Sequence, residues 1–256
     1  MTKPQLLAVG IAGAGALFAV LASRAASLGV VVMLWWIAFA CFMVAGAYAF
    51  NLPEIFGKRD GRLSTGRALL LLPYLLAFRI ACALMRWWRG LPVLSRVAPG
   101  VYVGGRLRLR DLPADTALIV DLTCELSEPR ALRAHPGYRC HPVLDGGAPP
   151  EAEDYSLLAL LDEVARTRGA AVVHCESGKG RAPSVAALVL IARRVAPDVS
   201  TALAMIRAAR PWAAPTLVDY RFMERIAARL APAPGVLPPV PVAYPEDEAL
   251  VPPVAS

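Results

Sequence analysis

The stretch Ala170-Ala171-Val172-Val173-His174-Cys175-Glu176-Ser177-Gly178-Lys179-Gly180-Arg181 runs from an apolar segment through a cysteine and two glycines to an arginine. Ala170 to Val173 has the length and β-branched content of a buried strand, and Ser184 to Ala192 reads as a helix. The loop between them therefore ends at a helix N-terminus, where the first N–H groups lack intrahelical partners and the positive end of the dipole faces outward. Such a loop cradles an anion, and Gly178 and Gly180 permit its curl. The same field is expected to draw Cys175 down from the ordinary thiol pKa of ~8.5 towards the nucleophilic thiolate. Arg181, six residues on, can fork two oxygens of a phosphoryl group.

Residues 174 to 181 match His-Cys-x-x-Gly-x-x-Arg position for position. On that motif the chain resembles the cysteine-dependent phosphatases of the dual-specificity and protein-tyrosine type. The resemblance extends over roughly Ala98 to Leu230, including Val101-Tyr102-Val103-Gly104-Gly105, Leu118-Ile119-Val120-Asp121-Leu122 and Ala209-Arg210-Pro211. It implies hydrolysis of phosphomonoesters through a cysteinyl-phosphate intermediate, without a cofactor. Cys175 would be the nucleophile, and Arg181 would bind the phosphoryl group with His174, Glu176, Ser177, Gly178, Lys179 and Gly180 around it. The family also implies a general acid about thirty residues before the nucleophile. Asp145, in Val143-Leu144-Asp145-Gly146-Gly147, stands at that distance. It would protonate the leaving oxygen and then activate water. Read without the family, Asp-Gly-Gly is also an ordinary turn. Ala182 departs from the pattern, because the family carries a Ser or Thr hydroxyl there.

The remaining polar residues near the motif receive lesser roles. His174 is expected to orient the loop by hydrogen bonding, and Asp121 to cap or shape a loop at a strand end. Lys179 adds positive charge. Glu176, an anionic side chain on the rim, is expected to disfavour highly charged polyphosphoinositides. His135 and His141 show no metal-ligand spacing, and no metal is expected.

The N-terminal third has a different character. Leu6 to Ala22 and Leu28 to Phe50 are apolar runs without an internal charge, joined by Ser23-Arg24-Ala25-Ala26-Ser27, and each approaches or exceeds the ~20 residues that cross a bilayer. They read as a transmembrane hairpin over residues 1–52; a cleaved signal peptide is the rival for the first run alone. Lys58, Arg59, Arg62 and Arg67 follow the second run and belong on the cytoplasmic side by the positive-inside tendency. Residues 53–96 form a basic juxtamembrane segment. Within it Ala68 to Trp88 is again apolar, with Arg79 and Arg86 on one helical face, Pro73 near its start and Trp87-Trp88 at its end. A helix lying on or dipping into the inner leaflet is favoured, with a third span as the alternative.

A net charge of +7 suits apposition to anionic lipid. Nucleic acid is a poorer partner, because the basic residues flank apolar segments without an aromatic-interleaved patch. The five cysteines are odd in number and scattered, so no disulfide framework is indicated and a reducing compartment fits. Strands near 100–104, 117–121, 138–143 and 170–174, with helices near 152–168, 182–195, 199–210 and 215–230, predict an α/β domain over 97–230. Its sheet would be mostly parallel and flanked by helices. Residues 231–256 are Pro-rich with little apolar periodicity and read as a flexible tail. The resulting expectation is an integral membrane protein with a cytoplasmic catalytic domain. Its substrate would be a phosphorylated protein (Tyr, or Ser/Thr) or, next, a phospholipid phosphomonoester such as a phosphatidylglycerophosphate. An impaired phosphate-binding scaffold, motivated by Ala182, and sulfur or arsenate chemistry are the remaining alternatives.

Overall fold

A computed structural model of the chain describes residues 1–90 and 92–230. The expected tail, 231–256, lies outside the described residues. Two long helices open the chain, α1 (Lys3–Arg24) and α2 (Leu28–Phe50). They pair closely because small residues line their contact; a Cβ added at Gly15 would lie 3.1 Å from Cys41 and Phe42 side-chain atoms. Both are long and apolar enough to cross a membrane, and most of each surface is uncovered by protein. A two-residue hairpin follows, β1 (Lys58–Arg59) and β2 (Arg62–Leu63), then α3 (Thr65–Leu70) and α4 (Leu72–Arg89).

The remainder is a five-stranded α/β sheet. Its strands are β3 (Leu94–Ala98), β4 (Val101–Gly104), β5 (Thr116–Thr123), β6 (Tyr138–Val143) and β7 (Ala170–His174). The spatial order is β3-β4-β7-β5-β6, with β7 central and parallel to both β4 and β5. Only β3 runs antiparallel, along the edge. Helices α5 (Arg130–Arg133), α6 (Asp154–Arg166), α7 (Arg181–Ala192), α8 (Val199–Ala209) and α9 (Leu217–Leu230) complete it. The four parallel strands and the four longer helices agree with the sequence reading. The edge strand β3 was not part of it, since Leu94-Ser95-Arg96-Val97-Ala98 lacks the uniform apolar character of a buried parallel strand.

Two features position the site. Every residue of β7 is buried, and α7 is buried along nearly its whole length between the sheet and α6, α8 and α9. The chain from His174 to Arg181 is therefore anchored at both ends. The membrane-type hairpin also packs on the α/β unit: Val44, Ala47 and Tyr48 of α2 share one apolar cluster with Leu71 and Leu75, with Cys124 after β5 and with Leu144. Asn51 Nδ2 donates to the Ala148 carbonyl at 3.1 Å.

Candidate active site

At the carboxyl end of β7 the loop turns sharply, and the turn depends on one glycine. Gly178 has φ +66°, and a Cβ there would collide with the Gly104 carbonyl group and the Arg210 guanidinium. Gly180, read as a second conformational requirement, has φ −114° with open space around it, so the curl falls on Gly178. The loop carbonyls are tied from outside. Arg106 N–H donates to the Glu176 carbonyl at 3.0 Å, and Ala214 N–H to that of Lys179 at 2.8 Å. Arg210, fully buried, donates Nε–H to the Gly178 carbonyl at 2.7 Å and Nη2–H to that of Ser177 at 3.4 Å. Inside the curl, Gly178 N–H donates to Cys175 Sγ at 3.2 Å.

Cys175 is 1% exposed. Burial pushes its thiol up from the ordinary value, opposed by the Arg181 guanidinium and by the N–H groups of Ala182 and Gly178. The lowering expected from the helix terminus alone left out that desolvation. Ser184, the candidate replacement for the hydroxyl missing at position 182, donates instead to the Gly180 carbonyl at 2.9 Å.

Arg181 is held in a way that leaves one edge for a ligand. Its Nη1 donates to Glu125 Oε2 at 2.8 Å and to the Val143 carbonyl at 2.7 Å. Its Nε–H is buried without an acceptor, and Nη2 faces Asp145 Oδ1 at 3.5 Å. The Nε and Nη2 pair forms an edge whose geometry suits two oxygens of a tetrahedral anion. Burial works against the guanidinium's charge, but Glu125 and Asp145 more than offset it and hold Arg181 protonated. Glu125 Oε1 also accepts the Asp145 N–H at 3.1 Å, so one carboxylate fixes both groups. Cys175, Arg181 and Asp145, chosen from sequence, thus come together. Glu125 was missed, and its only sequence signal is a carboxylate just beyond the end of the strand beside β7.

Two loop residues are placed differently from the sequence reading. Among the described residues His174 is fully buried and neither ring nitrogen has a hydrogen-bond partner, so it does not orient the loop by hydrogen bonding. Burial draws its pKa down to about 4. Glu176 is not a free charge on the rim. It is 2% exposed, with Oε1 at 2.9 Å from Arg86 Nη1 and Oε2 at 3.4 Å from Arg106 Nη1. Its charge is neutralised within the fold, which removes the argument that it repels polyanionic lipids. Ser177 and Lys179 are half-buried on the loop.

Beneath the loop lies a buried polar cluster. Lys58 Nζ meets Asp121 Oδ2 at 2.6 Å, and Tyr138 donates its hydroxyl to the same oxygen at 2.5 Å. Lys58, read as part of a basic cluster on the cytoplasmic side of the second run, is thus internal, and Asp121 both pairs with it and accepts the Thr123 N–H on Oδ1 at 2.9 Å, the strand-end role expected of it. Asp121, Glu128 and His174 bring one ligand atom each within 4.8 Å of one another. The Lys58 ammonium already supplies positive charge to that cluster.

Residues 138–229 match the family model described as protein-tyrosine phosphatase. No curated protein matches the chain. Among solved structures, human DUSP28 is 24% identical with a TM-score of 0.45, covering 54% of this chain and 95% of its own. Tk-PTP in its active form is 23% identical with a TM-score of 0.46, covering 54% and 98%. PTPMT1 in complex with PI(5)P is 14% identical with a TM-score of 0.45, covering 54% and 97%. The family match contains the whole nucleophile loop, so the resemblance carried by residues 174–181 holds, and residues 138–229 are similar to the protein-tyrosine phosphatases.

Proposed function

We propose that the protein is a membrane-anchored phosphomonoesterase that works through a phosphocysteine. Cys175 attacks phosphorus while the Nε and Nη2 edge of Arg181 and the loop amides hold the equatorial oxygens. Asp145 gives its proton to the leaving oxygen, and the same carboxylate then takes a proton from the water that attacks the phosphocysteine. Phosphate leaves and the thiolate is restored. We divide the chain into a transmembrane hairpin over 1–52, a juxtamembrane segment over 53–96 that lends β3 to the sheet, and a catalytic domain over 97–230 facing the cytoplasm.

The substrate that the geometry supports best is a phospholipid phosphomonoester. The observation that carries this is the framing of the site by membrane-type elements. The acid loop packs on the inner end of α2 through Leu144 and Ala148, and the nucleophile loop is bound through Glu176 to Arg86 of α4. A bilayer crossed by α1 and α2 would then hold lipid headgroups beside both loops. Phosphoprotein is the second reading, favoured by the family match over 138–229. The test is turnover by the full chain reconstituted in vesicles, offered phospholipid monoesters and phosphopeptides in parallel. Higher kcat/KM on lipid is expected, and the reverse ranking would return the protein substrate to first place.

A further inference from the structure

A cavity of about 630 Å³ lies between α4 and the α/β unit, beside the nucleophile loop and lined by five arginines: Arg79, Arg86, Arg106, Arg108 and Arg110. Against them stand two lining carboxylates, Glu176 and Asp111. Glu176 is already shared by Arg86 and Arg106, while Asp111 lies 3.9 Å from Arg110 and accepts the Arg108 backbone N–H at 2.7 Å. Among the described residues, neither Arg79 nor the Arg108 side chain has a carboxylate partner. Glu128, the other acid beside Arg106, is pushed by burial up to about 7 and contributes less than a full negative charge at neutral pH. Positive charge in the cavity is therefore uncompensated, and guanidinium forks suit phosphate oxygens.

The wall that carries Arg79 and Arg86 adds a second observation. On α4, Leu72, Leu76, Ile80, Leu84, Trp87 and Trp88 form an exposed apolar strip, with Trp87 82% and Trp88 79% exposed. Leu71 and Leu75 pack inward against the rest of the fold. Arg79 and Arg86 occupy the border between the two faces, the position of cations that reach from an apolar surface to the polar layer of a membrane. The cavity thus opens where headgroups would lie if the strip rests in the acyl boundary. Glu176, which lines it, is the next residue after Cys175, and consecutive Cα atoms are ~3.8 Å apart.

We propose that this cavity is a second anion site, which takes the phosphodiester of a phospholipid headgroup while the terminal phosphomonoester of the same lipid enters the Cys175 loop. The inference rests on the lipid reading above and narrows it to lipids with two phosphate groups. Arg79 and Arg108, which have no acidic partner among the described residues, hold the diester; Arg86 and Arg106 brace Glu176 between the two anions.

The test uses the full chain in vesicles, comparing wild type with Arg79→Gln and Arg108→Gln on four substrates. These are an aryl phosphate, a diacyl lipid with a phosphomonoester alone, a lipid with both a diester and a terminal monoester, and the soluble deacylated headgroup of the last. The expected result is a roughly tenfold or greater rise in KM for the two-phosphate lipid in each variant, the size of losing one charge-assisted contact. The aryl phosphate and the one-phosphate lipid should be unaffected. A matching rise for the soluble headgroup assigns the selectivity to the phosphate alone; a rise confined to the vesicle substrate assigns it to the lipid surface and the diester together. Equal KM for all lipids in wild type and variants overturns the second site, and so does an effect confined to phosphopeptides. Failure of wild type on every lipid, with the aryl phosphate still hydrolysed, would instead refute the lipid reading beneath it.

Discussion

Ala182 is where this chain departs from the family it resembles, and among the described residues no hydroxyl there donates to the sulfur. Ser184 is committed to the Gly180 carbonyl, and the backbone N–H groups of Gly178 and Ala182 donate to Cys175 Sγ. A hydrogen bond to a charged group contributes ~1.5–3 kcal/mol, or roughly 10- to 150-fold in the rate of the step it assists. That step is departure of the thiolate from phosphocysteine. Wild type should therefore show a rapid-quench burst of aryl alcohol, and Ala182→Ser should raise kcat with little change in kcat/KM. No burst together with no gain would make the hydroxyl irrelevant. Glu128 gives a second prediction. Its native pKa of about 7 exceeds the unfolded value near ~4.3, so its contribution to stability is complete below about pH 4.5 and is lost as pH rises through 7. Glu128→Gln should be more stable than wild type above pH 7, by up to roughly 3–4 kcal/mol, and the gap in thermal midpoints should shrink on acidification. A gap independent of pH would contradict it.

At the scale of elements, the strand, loop and helix from β7 to α7 were legible because their determinants are adjacent in the chain: an apolar run, one glycine that must be left-handed, and an arginine in the first turn. The supports around them were not. Glu125 lies 56 residues from Arg181, Arg210 holds the loop from 32 residues beyond Gly178, and Arg86 and Arg106 reach Glu176 across 90 and 70 residues. No local pattern announces such pairs, which is why Glu176 read as a free rim charge and Lys58 as one of a basic juxtamembrane cluster. The acid loop sits between these cases. Its distance from Cys175 pointed to Asp145, but its anchoring to Glu125 and to α2 is tertiary. If Asp145 transfers the proton, Asp145→Asn should slow alkyl phosphate hydrolysis by ~10²-fold or more while sparing an activated aryl phosphate. Equal losses on both would make it a structural turn.

The whole molecule joins an apolar helical hairpin to an α/β domain similar to the protein-tyrosine phosphatases, and its parts constrain one another. If α1 and α2 cross the bilayer and α4 lies along its surface, a reporter fused after Arg96 reports a cytoplasmic position. Activity only in an oxidising external compartment would make α4 a third span. That two apolar helices exist was legible from uncharged runs of bilayer length. Their docking onto the acid loop was not, because Tyr48 and Leu144 meet in one apolar cluster as residues with no distinguishing local pattern. The central claim is that this assembly hydrolyses phosphomonoesters through Cys175. It is tested most directly by acid-quenching the full chain within one turnover of an aryl phosphate and locating the covalent phosphoryl group by peptide mass spectrometry. The account predicts a single phosphoryl group on Cys175 in wild type, and none, with turnover abolished, in Cys175→Ser. Turnover retained by Cys175→Ser, or a phosphoryl group on another side chain, would contradict it.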